Sequence, residues 1–175
     1  LMHLGLYTNQ LYGEIPSEIY SLINLYVLDL SDNALVGTIS PEIENLTNLR
    51  WLYLWNNNLS GEIPPEIGNL YFLEILEIAA NQLTGQIPLE ICQLPYLKNI
   101  SLGWNQLSGT IPSEIGNLQF LENINLERNQ LEGIFPSSVS NLNNLKKIEI
   151  WDNQLTGPIL EYISNLNQLE HIEID

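Results

Sequence analysis

Apolar and polar positions recur along this chain with a period of 24 residues. In each unit a short run alternates apolar and polar residues, as where Leu52 and Leu54 alternate with aromatic residues, and this alternation predicts a short β-strand. Two further apolar columns recur later in the unit, at Ile19, Ile43, Ile67, Ile91, Ile115, Val139 and Ile163 and at Leu22, Leu46, Leu70, Leu94, Leu118, Leu142 and Leu166. One unit cannot bury its own apolar side, so the pattern predicts stacked units that share a continuous core.

An asparagine column follows the predicted strands, and a glycine column lies four residues beyond it. The asparagines are Asn9, Asn33, Asn57, Asn81, Asn105, Asn129 and Asn153. An inward amide has two donors and an acceptor, so we expect each asparagine to satisfy the buried backbone groups of its own unit and the adjacent one. The glycine column, from Gly13 to Gly157, predicts backbone conformations closed to other residues, and the Ile-Pro that follows predicts a short helical or 3-10 turn.

The unit reads LxxLxLxxNxLxGxIPxxIxxLxx, and its LxGxIP segment resembles the plant-type leucine-rich repeat. The wording from Gly61 to Leu70, GEIPPEIGNL, resembles the ectodomains of receptor-like kinases and receptor-like proteins and the polygalacturonase-inhibitor proteins. The resemblance implies an α/β solenoid, a right-handed superhelix of seven 24-residue repeats. It also implies a parallel concave β-sheet, a second small sheet from the Leu-x-Gly segment and short convex helical or 3-10 turns.

Three units depart from this pattern, and we expect them to perturb only local turns. They carry Ser40-Pro41, Ile134-Phe135-Pro136 and Pro158-Ile159-Leu160. Otherwise the repeat is uninterrupted, which predicts a single array over residues 1–175. The sequence begins inside one predicted strand and ends inside another, His171 to Asp175, without the polar caps that a solenoid needs. We therefore expect interior repeats of a longer protein.

The charge balance excludes one class of partner and disfavours another. Five basic residues stand against 21 acidic ones, a net charge of −16, so binding to nucleic acid is not expected, since it requires clustered Lys and Arg. The same charge repels an anionic membrane surface, and no run approaches the roughly 18 apolar residues of a membrane span. Cys92 is the only cysteine, so the chain contains no disulfide.

Catalytic chemistry is not indicated by any motif. HExxH, GxGxxG, Walker, GxSxG and CxxC patterns are absent, and His3 and His171 lie at opposite ends of the predicted array. Cys92 has no histidine near it, which favours a small core residue over a nucleophile. Glutamates 24 residues apart, from Glu18 to Glu114, would spread along a line, whereas Ca²⁺ needs six to eight converging oxygens. We therefore expect a non-enzyme without cofactor or metal.

Outward-facing strand residues are the best candidates for a binding surface, because packing leaves them free. Three large aromatic residues stand together on the third strand. A shallow floor follows at Ala79, Ala80 and Gly103, and the remaining tryptophans lie beyond it. The candidate ligand-binding residues are Trp51, Tyr53, Trp55, Ala79, Trp104, Arg128, Lys147 and Trp151. Exposed aromatic clusters bury much area at little entropic cost. The alternative is that aromatic residues simply suit strands and stack across the sheet.

Three N-x-Ser/Thr sequons occur, at Asn45, Asn58 and Asn99. They are weak indicators of a secreted glycoprotein. A glycan on Asn99 would stand on the concave face, so either this sequon is unused or the ligand binds toward one end of the array.

Taken together, these features predict a non-catalytic scaffold that recognises a protein or peptide on its concave face. The expected setting is the ligand-binding segment of an extracellular receptor-like or cell-surface protein, with a co-receptor or assembly partner as a second contact. Two alternatives stay open. One is an inhibitor of a wall-degrading enzyme, similar to polygalacturonase inhibitors, and the other is a structural subunit docked through its ends.

Overall fold

Every 24-residue unit forms one turn of a coil in the computed structural model, which describes residues 1–174. Asp175, placed by sequence in the last predicted strand, lies outside the described residues. Eight parallel strands follow one another across the concave face: His3–Gly5, Val27–Asp29, Trp51–Tyr53, Ile75–Glu77, Asn99–Ser101, Asn123–Asn125, Lys147–Glu149 and His171–Glu173. Residues 24 apart are partners in this sheet, as Leu28 is with Leu52. The predicted parallel concave sheet is confirmed.

A second set of short strands lies just beyond the asparagine column. These strands are Tyr12–Glu14, Ala34–Val36, Ser60–Glu62, Gln82–Thr84, Ser108–Gly109, Gln130–Ile134 and Gln154–Thr156. They form one sheet of three strands and two of two strands. Backbone hydrogen bonds from Ser60 to Gly37 and from Ser108 to Gly85, both 2.8 Å, bridge the gaps between these sheets. The second sheet is therefore present, in three pieces.

The convex side is built from short helices that start after the Ile-Pro pair. Six 3-10 helices, Ser17–Ser21, Pro41–Asn45, Pro65–Asn69, Leu89–Gln93, Ser113–Asn117 and Ser137–Asn141, are followed by one α-helix, Ile159–Ile163. In the second unit Ser40 takes the capping position, and its hydroxyl accepts a hydrogen bond from the Glu42 amide. In the seventh unit Pro158 comes two positions early, and the turn is α-helical. The departures are thus confined to local turns.

The core consists of stacked leucine and isoleucine columns between these layers. Leu46, Leu70 and Leu94 are at most 1% exposed, and the enlarged residue Phe135 is equally buried. Burying a side chain of this size stabilises a fold by about 1.5–3 kcal/mol relative to leaving it in water. Each column is covered by its copies in the neighbouring units, so the stability belongs to the stack and not to any unit.

The asparagine ladder (Asn9, Asn33, Asn57, Asn81, Asn105, Asn129 and Asn153) joins successive units as the sequence predicts. The amide nitrogen of Asn57 donates to the carbonyl oxygens of Leu30 in the preceding unit, at 3.0 Å, and of Leu54 in its own, at 3.2 Å. Its side-chain oxygen accepts from the Leu35 amide at 3.0 Å. Asn33, Asn81, Asn105, Asn129 and Asn153 repeat both the 27-residue bond and the 22-residue bond.

Two columns hold a left-handed backbone, of which the sequence predicted one. The glycines from Gly13 to Gly157 have φ between 75° and 102°. The residues just before the ladder asparagines have φ between 50° and 55°, namely Thr8, Asp32, Asn56, Ala80, Trp104, Arg128 and Asp152. This conformation costs an L-residue roughly 1–2 kcal/mol. Backbone bonds on both sides hold it in place, such as those from Trp104 to Glu127 and from Asn105 to Arg128.

Replacing a ladder asparagine should destabilise the array more than replacing its exposed neighbour. In Asn105→Ala the Leu83 amide and the carbonyl groups bonded to Asn105 lose a partner. At about 1–3 kcal/mol for each buried group left unpaired, we expect a loss of at least about 3 kcal/mol in the free energy of unfolding. Urea denaturation measures it. Gln106→Ala, at an exposed position, is the control and should change stability by less than about 0.5 kcal/mol. Equal losses in the two variants would contradict the ladder's role.

The single cysteine should be unreactive until the chain unfolds. Cys92 is 1% exposed, and burial, helped by Glu114 and Glu90, raises the pKa of its thiol to about 12. Because the thiolate is the nucleophile, the folded chain should resist Ellman's reagent at pH 8. In denaturing urea one thiol per chain should react at once. Prompt modification of the folded chain would show that Cys92 is accessible.

The concave face as the candidate binding surface

The third concave strand presents its aromatic residues to solvent. Trp51 and Trp55 are 41% and 38% exposed, and Tyr53 between them is half-buried. Within residues 1–174 neither indole N–H of this pair has a hydrogen-bond acceptor. We call Trp51, Tyr53 and Trp55 the open aromatic row, because its indole N–H groups have no acceptor among the described residues.

Two carboxylates flank the open aromatic row on the neighbouring strands. Asp29 and Glu77 are both register partners of Tyr53. Burial raises the pKa of Tyr53, and the two carboxylates add to the effect. Burial and the charge of Asp29 also raise the pKa of Glu77. Asp29 accepts hydrogen bonds from the amide and hydroxyl of Ser31, at 3.1 and 2.5 Å. The described chain offers the Glu77 carboxylate no hydrogen bond and no ion pair, so its charge is uncompensated.

The other two tryptophans form a separate, closed cluster with their neighbours. The Glu127 carboxylate accepts hydrogen bonds from both indoles, from Trp104 at 2.8 Å and from Trp151 at 2.6 Å. The Arg128 guanidinium carbon lies 3.9 Å from the Trp104 ring centroid and 4.8 Å from that of Trp151. Its Nε is 3.6 Å from Asp152. We call Trp104, Glu127, Arg128 and Trp151 the closed aromatic stack, since its indole donors and the Arg128 charge already have partners within the chain.

The predicted floor between the two clusters is only partly open. Ala79 is half-buried, as a floor residue should be, but Gly103 is covered. A Cβ at Gly103 would lie 2.1 Å from the Asn125 side-chain oxygen, so this glycine makes room for that amide. The Asn125 nitrogen in turn donates to Glu149 at 2.9 Å. The structure thus places the candidate residues in two groups instead of one continuous aromatic surface.

Basic residues offer no free charge to a ligand. Lys147 lies 2.7 Å from Glu149 on the same strand. The other four are also paired with acids: Arg50 and Lys98 with Glu74, Arg128 with Asp152, and Lys146 with Glu122. An anionic ligand would have to break one of these pairs, whereas a cationic ligand would meet Glu77 unpaired.

One group of side chains brings metal-ligating atoms together, although the sequence predicted no metal site. Oxygen or nitrogen atoms of Glu149, His171 and Glu173 lie within 4.8 Å of one another. The Lys147 ammonium group already neutralises Glu149 there. Three ligand atoms are also fewer than the six to eight oxygens that Ca²⁺ takes. The group is therefore better described as an ion-pair cluster on the last strands.

The three sequon asparagines occupy different surroundings. Asn45 and Asn58 are exposed, whereas Asn99 is half-buried in a concave strand. The Asn99 side-chain oxygen accepts a hydrogen bond from Asn123 at 2.7 Å. Glycosylation stays a prediction, and Asn45 and Asn58 are the more accessible acceptors.

Sequence reasoning missed a second exposed aromatic group, at the edge where the concave strands begin. Tyr71, Phe72, Tyr96 and Phe120 lie there with ring centroids 5.2–6.3 Å apart. They occupy the two positions between consecutive leucines, such as Leu70 and Leu73, that precede a strand. The sequence signal for this group is the column Phe72, Tyr96 and Phe120, whose members lie 24 residues apart.

Comparisons with known proteins agree with this architecture. The family profile described as a leucine-rich repeat region matches residues 36–175, and a single-repeat profile matches residues 24–46. No curated protein matches the chain. None of the helices in residues 1–174 has the length and apolarity needed to span a membrane.

Solved structures of plant receptors are similar over nearly the whole chain. The plant peptide hormone receptor RGFR1, solved with RGF2, is 36% identical with a TM-score of 0.89, covering 96% of this chain and 28% of that one. PEPR1 with AtPEP1 is 33% identical with a TM-score of 0.91, covering 100% and 25%. The Arabidopsis receptor kinase HAESA, solved with the peptide hormone IDA and the co-receptor SERK1, is 30% identical with a TM-score of 0.88, covering 99% and 34%.

The chain thus spans about a quarter to a third of the length of these receptors. The profile match covers most of the sequence, and the LxGxIP units, the concave sheet and the receptor-kinase similarities agree with it. This chain belongs to the leucine-rich repeat family and carries its plant-type repeat.

Proposed function

We propose that this chain is a non-catalytic, ligand-binding segment of an extracellular receptor-like protein, and that it holds a peptide on its concave face. The observation that carries the proposal is the open aromatic row, whose two indole donors lack partners next to the unpaired Glu77 carboxylate. The similar plant peptide hormone receptor RGFR1 was solved with RGF2, and HAESA with the peptide hormone IDA, which supports a peptide ligand. The HAESA complex also contains SERK1, which supports a co-receptor as second partner.

The charges around the open aromatic row favour a peptide that places a lysine or arginine there. A cation over an indole face gains about 0.5–2 kcal/mol. Glu77 and Asp29 would add charge pairing in a partly desolvated setting. Every basic residue of the chain is already paired with an acid, so the positive charge has to come from the ligand.

The closed aromatic stack would serve the same ligand in a different way. Trp104 and Trp151 are fixed by Glu127 and Arg128, so a ligand group packing on them immobilises no further side chain. Lys147 is likewise held by Glu149. We infer that this half supplies a rigid surface, while the open aromatic row supplies the unsatisfied donors and charge that select the ligand.

Removing the two tryptophans of the open aromatic row should weaken peptide binding without unfolding the chain. Peptides selected from a phage-displayed library on the 175-residue chain should lose at least tenfold in affinity for the double variant Trp51→Ala, Trp55→Ala. The control is Tyr12→Ala, an aromatic residue that is 87% exposed outside the concave face, and it should bind as the wild type does. Peptides that bind all three chains equally would place the site elsewhere. Inhibition of a polygalacturonase by the chain would instead support the inhibitor interpretation.

The Glu77 carboxylate should cost stability at neutral pH. Its pKa is raised in the folded chain, so the ionised form is disfavoured by folding and the protonated form is not. Glu77→Gln should therefore unfold at a higher temperature than the wild type at pH 7. The difference should close as the pH falls through the raised pKa toward the ordinary carboxyl range. Thermal unfolding between pH 4 and pH 8 measures it.

The matched control is Glu132→Gln, an exposed glutamate of the second set of strands. Its effect on the unfolding temperature should be small and should not follow the same pH course. A Glu77→Gln effect of constant size across the pH range would mean that the charge of Glu77 is not responsible. Library peptides that bind the wild type and contain lysine or arginine should bind the Glu77→Gln variant less tightly.

A further inference from the structure

A row of alternating charge runs along the edge of the array where the concave strands begin. The charge row comprises Arg50, Glu74, Lys98, Glu122, Lys146 and Glu170, one residue from each of six consecutive units. Backbone hydrogen bonds join neighbours in this row, as from Glu74 to Arg50 at 2.8 Å. Side-chain pairs link Arg50 and Lys98 to Glu74 at 2.8 and 2.7 Å.

The charge row is neutral, unlike the rest of the chain. It contains three of the five basic residues and three of the 21 acidic residues, which leaves two basic residues against 18 acidic ones elsewhere. Two copies of a chain with a net charge of −16 repel each other when other faces approach. A neutral row adds nothing to that repulsion where it meets a second copy of itself.

Beside the charge row lies the edge aromatic group, Tyr71, Phe72, Tyr96 and Phe120. These side chains are 41–55% exposed. The Phe72 and Tyr96 rings are nearly parallel with centroids 6.3 Å apart, and the Arg50 guanidinium carbon lies 5.9 Å from the Phe72 centroid. A contiguous group of exposed aromatic residues bordered by charged ones is typical of a protein–protein contact.

The flanking units place an amide residue, not an aromatic one, in this position. The column reads Asn24, Asn48, Phe72, Tyr96, Phe120, Asn144 and Gln168. Asn48 donates to the carbonyl of Ile23 at 2.9 Å, and Asn144 to that of Gln119 at 2.7 Å. The three middle units therefore lack an inter-unit hydrogen bond of this kind and expose a ring instead. Contacts between the rings of neighbouring units offset part of this loss. Those contacts alone do not explain why the rings are exposed to solvent.

We propose that this edge is a docking surface for a second copy of the chain, related to the first by a two-fold axis. A row of alternating charge is complementary to itself when it is reversed, and a two-fold axis reverses it. With the axis between Lys98 and Glu122, Lys98 of one copy faces Glu122 of the other. Glu74 then faces Lys146 and Arg50 faces Glu170, so all six charges meet an opposite charge.

The same axis brings the aromatic residues together. Tyr96 of one copy meets Phe120 of the other at the centre of the contact. Apolar area is therefore buried beside the paired charges of the two charge rows. An unrelated partner would need an alternating pattern of its own with the same spacing, whereas a second copy has it by symmetry. The proposal concerns a face other than the concave one and does not depend on the peptide ligand.

Sedimentation velocity of the 175-residue chain over a range of concentrations tests the proposal. The wild type should form a reversible dimer. In the triple variant Phe72→Asn, Tyr96→Asn, Phe120→Asn, each ring is replaced by the residue that flanking units carry, and the dissociation constant should rise at least tenfold. Tyr12→Asn is the control and should dimerise as the wild type does. A wild type that stays monomeric, or a triple variant that still dimerises, would overturn the proposal.

A charge exchange tests the register of the two copies. Lys98→Glu and Glu122→Lys should each fail to dimerise alone, because like charges then face each other across the axis. An equimolar mixture should form a one-to-one dimer, since Glu at position 98 of one variant faces Lys at position 122 of the other. Thermal unfolding verifies that both variants fold. If the mixture stays monomeric, or if either variant alone dimerises through surfaces such as the exposed Leu1 and Leu6, the proposed interface is wrong.

Discussion

A buried side-chain amide that joins two consecutive units is the interaction on which the rest of this structure depends. Asn57 reaches back 27 residues with its nitrogen and 22 residues with its oxygen, and both bonds are repeated along the array. Without the asparagine, these backbone groups of the turn would lack partners. The bonds therefore hold each unit in register with the next, and the parallel sheet places residues 24 apart side by side. A property carried by one column, such as the alternating charge of the charge row, consequently runs along the array.

On the concave face the exposed aromatic residues fall into two groups with opposite character, one along a single strand and one across three units. Arg128 lies against two indoles whose N–H groups donate to Glu127. The polar groups of the closed aromatic stack therefore have partners within the chain. Glu77 is half-buried and has no partner in the described residues. The region of the open aromatic row therefore holds an uncompensated charge, which lowers the stability of the chain. Strain and unsatisfied groups of this kind are commonly retained where a protein binds something else. The proposed function rests on this contrast, with the closed aromatic stack as rigid support and the open aromatic row as the part that selects the ligand.

The sequence was sufficient for the features set by single columns. The asparagine ladder, the glycine turns and the leucine core each depend on one residue type recurring at one position, and the structure has all three. The closed aromatic stack could not be predicted this way, because it joins Trp104, Arg128 and Trp151 from three units and two columns. The left-handed backbone before each ladder asparagine was also missed, since residues as different as Ala80 and Trp104 adopt it there. The role of each candidate residue in ligand binding stays a prediction.

The charge row repeats every two units, whereas the fold repeats every unit. The backbone would accept the loss or duplication of any single unit, because the asparagine bonds would simply form with the next copy. Such a change within the row would bring two like charges into contact, as when the loss of the Lys98 unit sets Glu74 beside Glu122. Gain or loss of two units together preserves the alternation. An array of this kind can therefore change length during evolution by two units at a time and keep its alternating charges. The fold alone would accept a change of one unit.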